Sequence, residues 1–161
     1  MPSTAERAFT RLTELKGKES VASDWLTVTQ ERIDSFARTT LDDQFIHTDP
    51  VRAARESPFG TTIAHGFLTL SLMSSLMQTI PRPNPDPYEG RTVGINYGLD
   101  RVRFPTPVRV NSRIRARQVL ANVEQKDERT LQMTHHVTVE IEGQSKPACV
   151  AEYVTRAIFP S

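Results

Sequence analysis

The chain has 161 residues, 20 Lys+Arg against 19 Asp+Glu, a hydrophobic fraction of 37% and a single cysteine. That length fits one domain, which at this size buries roughly 70% of the surface its unfolded chain exposes and needs no covalent staples. The balanced charge excludes an electrostatic nucleic-acid binder, the lone Cys149 excludes a disulfide-stapled module or zinc ribbon, and no apolar run reaches the roughly 20 residues of a membrane span.

Residues 3–15 read as an amphipathic helix. Ser3 and Glu6 form a capping-box pair, and Ala5, Ala8, Phe9, Leu12 and Leu15 fall along one stripe. Charges run through residues 1–20 with no apolar signal segment, so the expectation is a soluble, cytoplasmic protein. The helix, set apart as residues 1–19, is expected to pack on the surface of a domain spanning 20–161. Residues 23–28 read as a strand, and Thr29 caps a helix over 30–38 that turns Ile33, Phe36 and Ala37 inward. A long connector then runs from Thr39 to Gly66, dense in polar and turn-forming residues, and long connectors in compact domains are usually functional. Residues 67–80 form a helix with apolar residues on every side, the mark of a buried helix. The alternating prolines of 81–87 predict a rigid, extended loop that is a candidate cap for a pocket.

Everything after Gly90 reads as β. Leu131, Met133, Val137, Val139 and Ile141 share one strand face, with His135 inward beside them and His136 outward. Arg101 and Arg103, and Arg113, Arg115 and Arg117, alternate along two other strands and predict a solvated outer face, with contact to the phosphates of a ligand as the functional alternative. Cys149 sits among small apolar residues as a buried thiol. The order is strand, helix, loop, buried helix, then about four antiparallel strands. This is an α+β pattern that suits the hot-dog fold, in which a curled antiparallel sheet wraps one helix.

The chemistry gathers in the connector. Asp42 and His47 lie five apart, and a carboxylate and an imidazole facing one point can hold a water and move its protons. At Ala64-His65-Gly66 the apolar helix begins. Its N-terminus offers unpaired N–H groups and partial positive charge, and Gly66 leaves the backbone open to a carbonyl oxygen. A metal set drawn from Asp42, Asp43, His47 and Asp49 lacks an organised outer layer of partners, and Asp49-Pro50 reads better as a helix start.

These residues resemble a family. LDDQFIH, followed by SPFGTTIAHGFLTLSLMSSL, is similar to the signature of MaoC-like, (R)-specific enoyl-CoA hydratases: an Asp, four residues, a His, then a downstream His-Gly opening the hot-dog helix. INYGLDRVRFPTPVRVNSRIRAR and KPACVAE further resemble the nodulation-protein-N-like branch. The resemblance implies reversible hydration of trans-2-enoyl thioesters to (R)-3-hydroxyacyl thioesters, with no metal or redox cofactor and with coenzyme A as part of the substrate. It implies catalysis by Asp42 and His47, and substrate binding around Gly66, His65 and Ser74. Gly66 would hold the thioester oxygen, His65 would fix the loop, and Ser74 would support the carboxylate. It also implies a homodimer. The chain departs from the family pattern at Leu41 (usually Gly), Gln44 (Asn) and Phe45 (Pro), with Gln44 expected to keep the hydrogen bonding. Two other readings stand beside this one: a hot-dog thioesterase, and a non-catalytic acyl-thioester-binding partner subunit.

Overall fold

A computed structural model describes residues 1–161. Helix α1 (Thr4–Leu15) opens with the expected capping box: the Glu6 N–H donates to the Ser3 hydroxyl at 3.1 Å, and the Ser3 N–H donates to the Glu6 carboxylate at 2.6 Å. Strand β1 is only Leu26–Thr27, shorter than the pattern of 23–28 suggested. The residues before it still run beside the sheet, held by backbone bonds from Ser20 and Ser23 and by their hydroxyls, which accept the Gln118 and Ala116 N–H groups. Serine here satisfies strand donors that would otherwise lie bare.

Helix α2 (Gln30–Thr40) is capped by Thr29 as expected. The long connector holds two helices too short to leave a periodic signal: α3 (Phe45–Thr48) and α4 (Pro50–Glu56). Asp49 starts α4 by accepting the Arg52 N–H at 2.9 Å, with Pro50 in the first turn. Helix α5 (Gly66–Gln78) follows. It is not buried all round, as its apolar composition suggested. Leu68, Thr69, Leu72, Met73 and Leu76 are enclosed, whereas Phe67 is 66% exposed and Ser71 and Ser75 lie open on the same side.

The long strands are β2 (Val93–Arg103), β3 (Arg113–Gln125), β4 (Thr130–Ile141) and β5 (Cys149–Ile158). The five-stranded sheet has the order β1-β3-β4-β5-β2, antiparallel throughout. It curls around α5, and its concave side carries two cores. The first joins α5 and α2 to the upper half of the sheet through Met73, Leu76, Ile33, Ile114, Val137 and Val139. The second is closed by α1, whose Ala5, Ala8 and Leu12 pack on Leu131, Met133 and Phe159. The convex face is charged: Arg115 and Arg117 pair with Glu140, Arg113 with Glu142, and Arg101 with Glu152. Carboxylates therefore occupy four of the five arginines weighed as phosphate contacts, and Arg103 donates to the Val102 carbonyl. Strand β2 is an edge, and Val93, Ile95, Tyr97 and Leu99 along it are all exposed. No helix is long and apolar enough to cross a membrane.

Because Leu12 is 1% exposed inside the second core, Leu12→Ala should cost about 2–5 kcal/mol in urea unfolding, while the exposed Glu14→Ala stays within about 0.5 kcal/mol. Equal midpoints for the two variants would show that α1 contributes nothing to the core.

Candidate active site

The site lies where the α2–α3 turn meets the N-terminus of α5. Helix α2 ends at Leu41, which adopts a left-handed conformation (φ 62°, ψ 22°) and turns the chain so that Asp42 follows directly. Helix α3 then carries His47. The Gln44 side chain makes no capping bond, contrary to expectation. Its carbonyl does the positioning instead, accepting the His47 N–H at 2.9 Å and the Thr48 N–H at 3.3 Å.

His47 is 8% exposed, and its Nδ1 lies 2.7 Å from the Ile63 carbonyl oxygen. A carbonyl only accepts, so Nδ1 carries the proton and a neutral His47 has its lone pair on Nε2. The neutral form is favoured. Burial lowers the His47 pKa below its ordinary value of 6.5, and nearby His65 lowers it further, against the opposing Ile63 bond and the Asp42 charge. His65 Nε2 likewise donates to the Asp42 carbonyl at 2.8 Å. The two imidazoles stack with centroids 3.8 Å apart, and Phe36 covers the far side of His65 at 5.0 Å. Ligand atoms of Asp42, His47 and His65 all lie within 4.8 Å of one another. With His47 Nδ1 and His65 Nε2 committed to carbonyls, the His47 Nε2 lone pair is left uncommitted, and the exposed Asp42 carboxylate belongs to the same cluster. That is an acid–base pair able to hold one water.

His65 clamps the turn through one ring nitrogen, and its Nδ1 has no hydrogen-bond partner. It is 2% exposed, and it fixes the turn through the Asp42 carbonyl. Gly66 opens α5, so its N–H has no acceptor within the helix and points past the end. The space where its Cβ would stand is filled, however, by the Phe104 ring, whose Cδ2 would be 2.9 Å away. A side chain here would force the Phe104 ring to shift, so glycine suits both this close aromatic approach and access to the backbone. Ser74 is not beside Asp42. It lies eight residues down α5, about 12 Å along the axis, next to the Tyr153 hydroxyl.

Three contributors went unread in the sequence. Gln30 donates from Nε2 to the His47 carbonyl at 2.7 Å, and Thr62 donates to Gln30 Oε1 at 2.6 Å, which locks α2 to α3. Phe104 lies just past the end of β2 and packs edge-on to Phe67. A polar residue at a helix start and an aromatic after a strand carry no periodic signal. Cys149 is buried, and burial pushes its thiol up to about 11, so it offers no thiolate. Asp43 is exposed and lies outside the cluster.

Residues 12–142 match the MaoC-like domain, and the chain belongs to the MaoC-like dehydratase family. Among its curated relatives, the 3-hydroxyacyl-thioester dehydratase Z of Mycobacterium tuberculosis is 50% identical over 88% of this chain and 90% of that protein. Nodulation protein N of Rhizobium leguminosarum bv. viciae is 50% identical over 86% of this chain and 84% of its own length. The R-hydratase PhaJ1 from Pseudomonas aeruginosa superimposes with a TM-score of 0.68 at 22% identity, covering 92% of this chain and 86% of that one, and shares the hot-dog fold. The resemblance carried by the motifs, and the fold it implied, are borne out.

Leu41 is 85% exposed and left-handed, so its side chain brings no burial to offset an unfavourable backbone conformation. Leu41→Gly should stabilise the protein by about 1 kcal/mol, read as a raised urea midpoint with unchanged slope. A lowered midpoint would mean that Leu41 makes a contact that this geometry lacks.

Proposed function

We propose that the protein catalyses reversible hydration of trans-2-enoyl thioesters to (R)-3-hydroxyacyl thioesters, without metal or redox cofactor, as a cytoplasmic homodimer. The observation that carries the reaction is the pairing of the Asp42 carboxylate with the unprotonated Nε2 of a buried, neutral His47 at the mouth of α5. The names of the close relatives support the same substrate class.

In the hydration direction the thioester oxygen accepts a hydrogen bond from the Gly66 N–H, where the helix terminus favours developing negative charge. A water held between Asp42 and His47 gives its proton to His47 Nε2 as its oxygen bonds to C3. The electron pair of the C2–C3 double bond moves to form an enolate, and C2 then receives a proton on the same face from the dyad. Dehydration runs through the same steps in reverse. A second copy of the chain fits the exposed apolar edge of β2, because continuing the sheet across that edge satisfies its free backbone groups and covers Val93, Ile95, Tyr97 and Leu99.

Asp42→Asn and His47→Ala should each cut crotonyl-CoA hydration at least about 10²-fold while folding normally, read as loss of enoyl absorbance without release of free thiol. Near-wild-type turnover in either variant would sink the assignment, and thiol release would favour a thioesterase. A base must be neutral to work, and the His47 pKa lies below 6.5, so kcat/KM should fall as pH drops through a midpoint below that value. An acid limb centred above 6.5 contradicts the role. For the assembly, Tyr97→Lys should convert a species of twice the chain mass into a monomer, and a wild-type monomer would contradict the dimer.

A further inference from the structure

The strand register aligns Leu120, His135, Tyr153 and Leu99 across the concave face. The row on one side contains Gln118, Val137 and Ala151, and the row on the other contains Met133, Thr155 and Asn96. Beyond these rows the inward positions are apolar and belong to the two cores. A polar band of Gln118, His135, Tyr153, Thr155 and Asn96 thus crosses the middle of an otherwise apolar surface, with Ser74 of α5 opposite. All six line one cavity of about 770 Å³, within the size range of small-molecule sites. Leu12 of α1 and Tyr88 after the proline loop are also in its wall, as are the charged Lys18, Glu19, Arg82, Arg91 and Arg156, of which Arg82 is held by Asp86 and Arg156 by Gln132.

Part of this band is unsatisfied. His135 is 6% exposed, and its Nδ1 has no hydrogen-bond partner; nor does Gln118 Oε1. Tyr153, in contrast, donates to Asn96. Leaving buried polar atoms unpaired is unfavourable, and an apolar residue at 135 would continue the cores on either side without that cost. Burial alone lowers the His135 pKa to about 4, with no charged group contributing. The ring is neutral, with one nitrogen to donate and one to accept.

We infer that this cavity receives the acyl chain of the substrate and recognises an uncharged oxygen on it, a hydroxyl or keto group remote from the thioester, through His135 and Gln118. The inference rests on the thioester reading above and deepens it. The position follows from α5, which starts at Gly66 outside the cavity wall and enters that wall at Ser74: a thioester anchored at Gly66 lies about 12 Å along the helix from Ser74, so the oxygen belongs several carbons down a medium-length chain, out of reach of a four-carbon acyl group. A site built to hydrogen-bond such a group discriminates strongly against a plain chain, which leaves the same atoms unpaired.

The test compares kcat/KM on one enzyme preparation for three enoyl-CoA substrates of equal, medium chain length: a plain chain, one with a hydroxyl near its end, and one ending in a carboxylate. The wild type should prefer the hydroxylated chain at least tenfold over both others. In His135→Leu and, independently, Gln118→Leu, each checked for folding by circular dichroism, that ratio should fall toward one or invert. Equal or better use of the plain or carboxylated chain by the wild type overturns the inference, as does an unchanged ratio in both folded variants. Crotonyl-CoA separates the two levels of failure. If the wild type hydrates it but shows no preference for the hydroxyl, only the polar recognition is wrong; if no enoyl thioester in the panel is turned over, both readings fall.

Discussion

The site depends on one hydrogen bond, from His47 Nδ1 to the Ile63 carbonyl at 2.7 Å. It ties α3 to the segment leading into α5, and it decides which nitrogen of a neutral His47 is free. Ile63 is itself held by backbone bonds, its N–H donating to the Ile46 carbonyl while Ala64 donates to Val108. His65 repeats the device toward the Asp42 carbonyl, and the two rings stack. The loop contains neither a glycine nor a proline at the positions where the family pattern has them. Backbone carbonyls, Gln30 and Thr62 supply the rigidity instead, and the strain concentrates in one left-handed residue, Leu41.

The two ends of α5 do different things. At its start, free N–H groups, Gly66 and the dyad form a polar mouth next to Phe67 and Phe104. Two turns on, the same helix faces the polar band of the sheet across the cavity. Helix α1 is integral to this arrangement, since its apolar face closes the second core and contributes to the cavity wall. The proline loop runs along the same cavity, with Pro81, Pro83 and Pro87 beside Tyr88 in its lining.

Much of the fold was legible because it depends on periodicity. The inward set on β4, the amphipathic stripe of α1 and the alternating arginines all lie on the faces their spacing assigned. The cores follow from those faces. What periodicity misses is short or irregular: α3 and α4 are too brief to repeat, β1 is two residues long, and α5 keeps one open side because an apolar composition does not say which side is unpartnered. The candidate site was legible as a set of residue types, Asp42, His47, His65 and Gly66, but Ser74 shares only the helix with them and not the location.

The 161 residues with balanced charge and one cysteine determined by themselves a single α+β domain, the strand faces, and an acid–base pair placed near a helix start. They determined these because pattern and composition act locally, within a turn or a strand. Only the tertiary structure decided which nitrogen of His47 is free, why glycine suits position 66, where Ser74 goes, and that His135 and Gln118 meet at one cavity. Each of these depends on a meeting of residues distant in the chain, such as Gly66 with Phe104 or His47 with Ile63, and no local pattern encodes such a meeting.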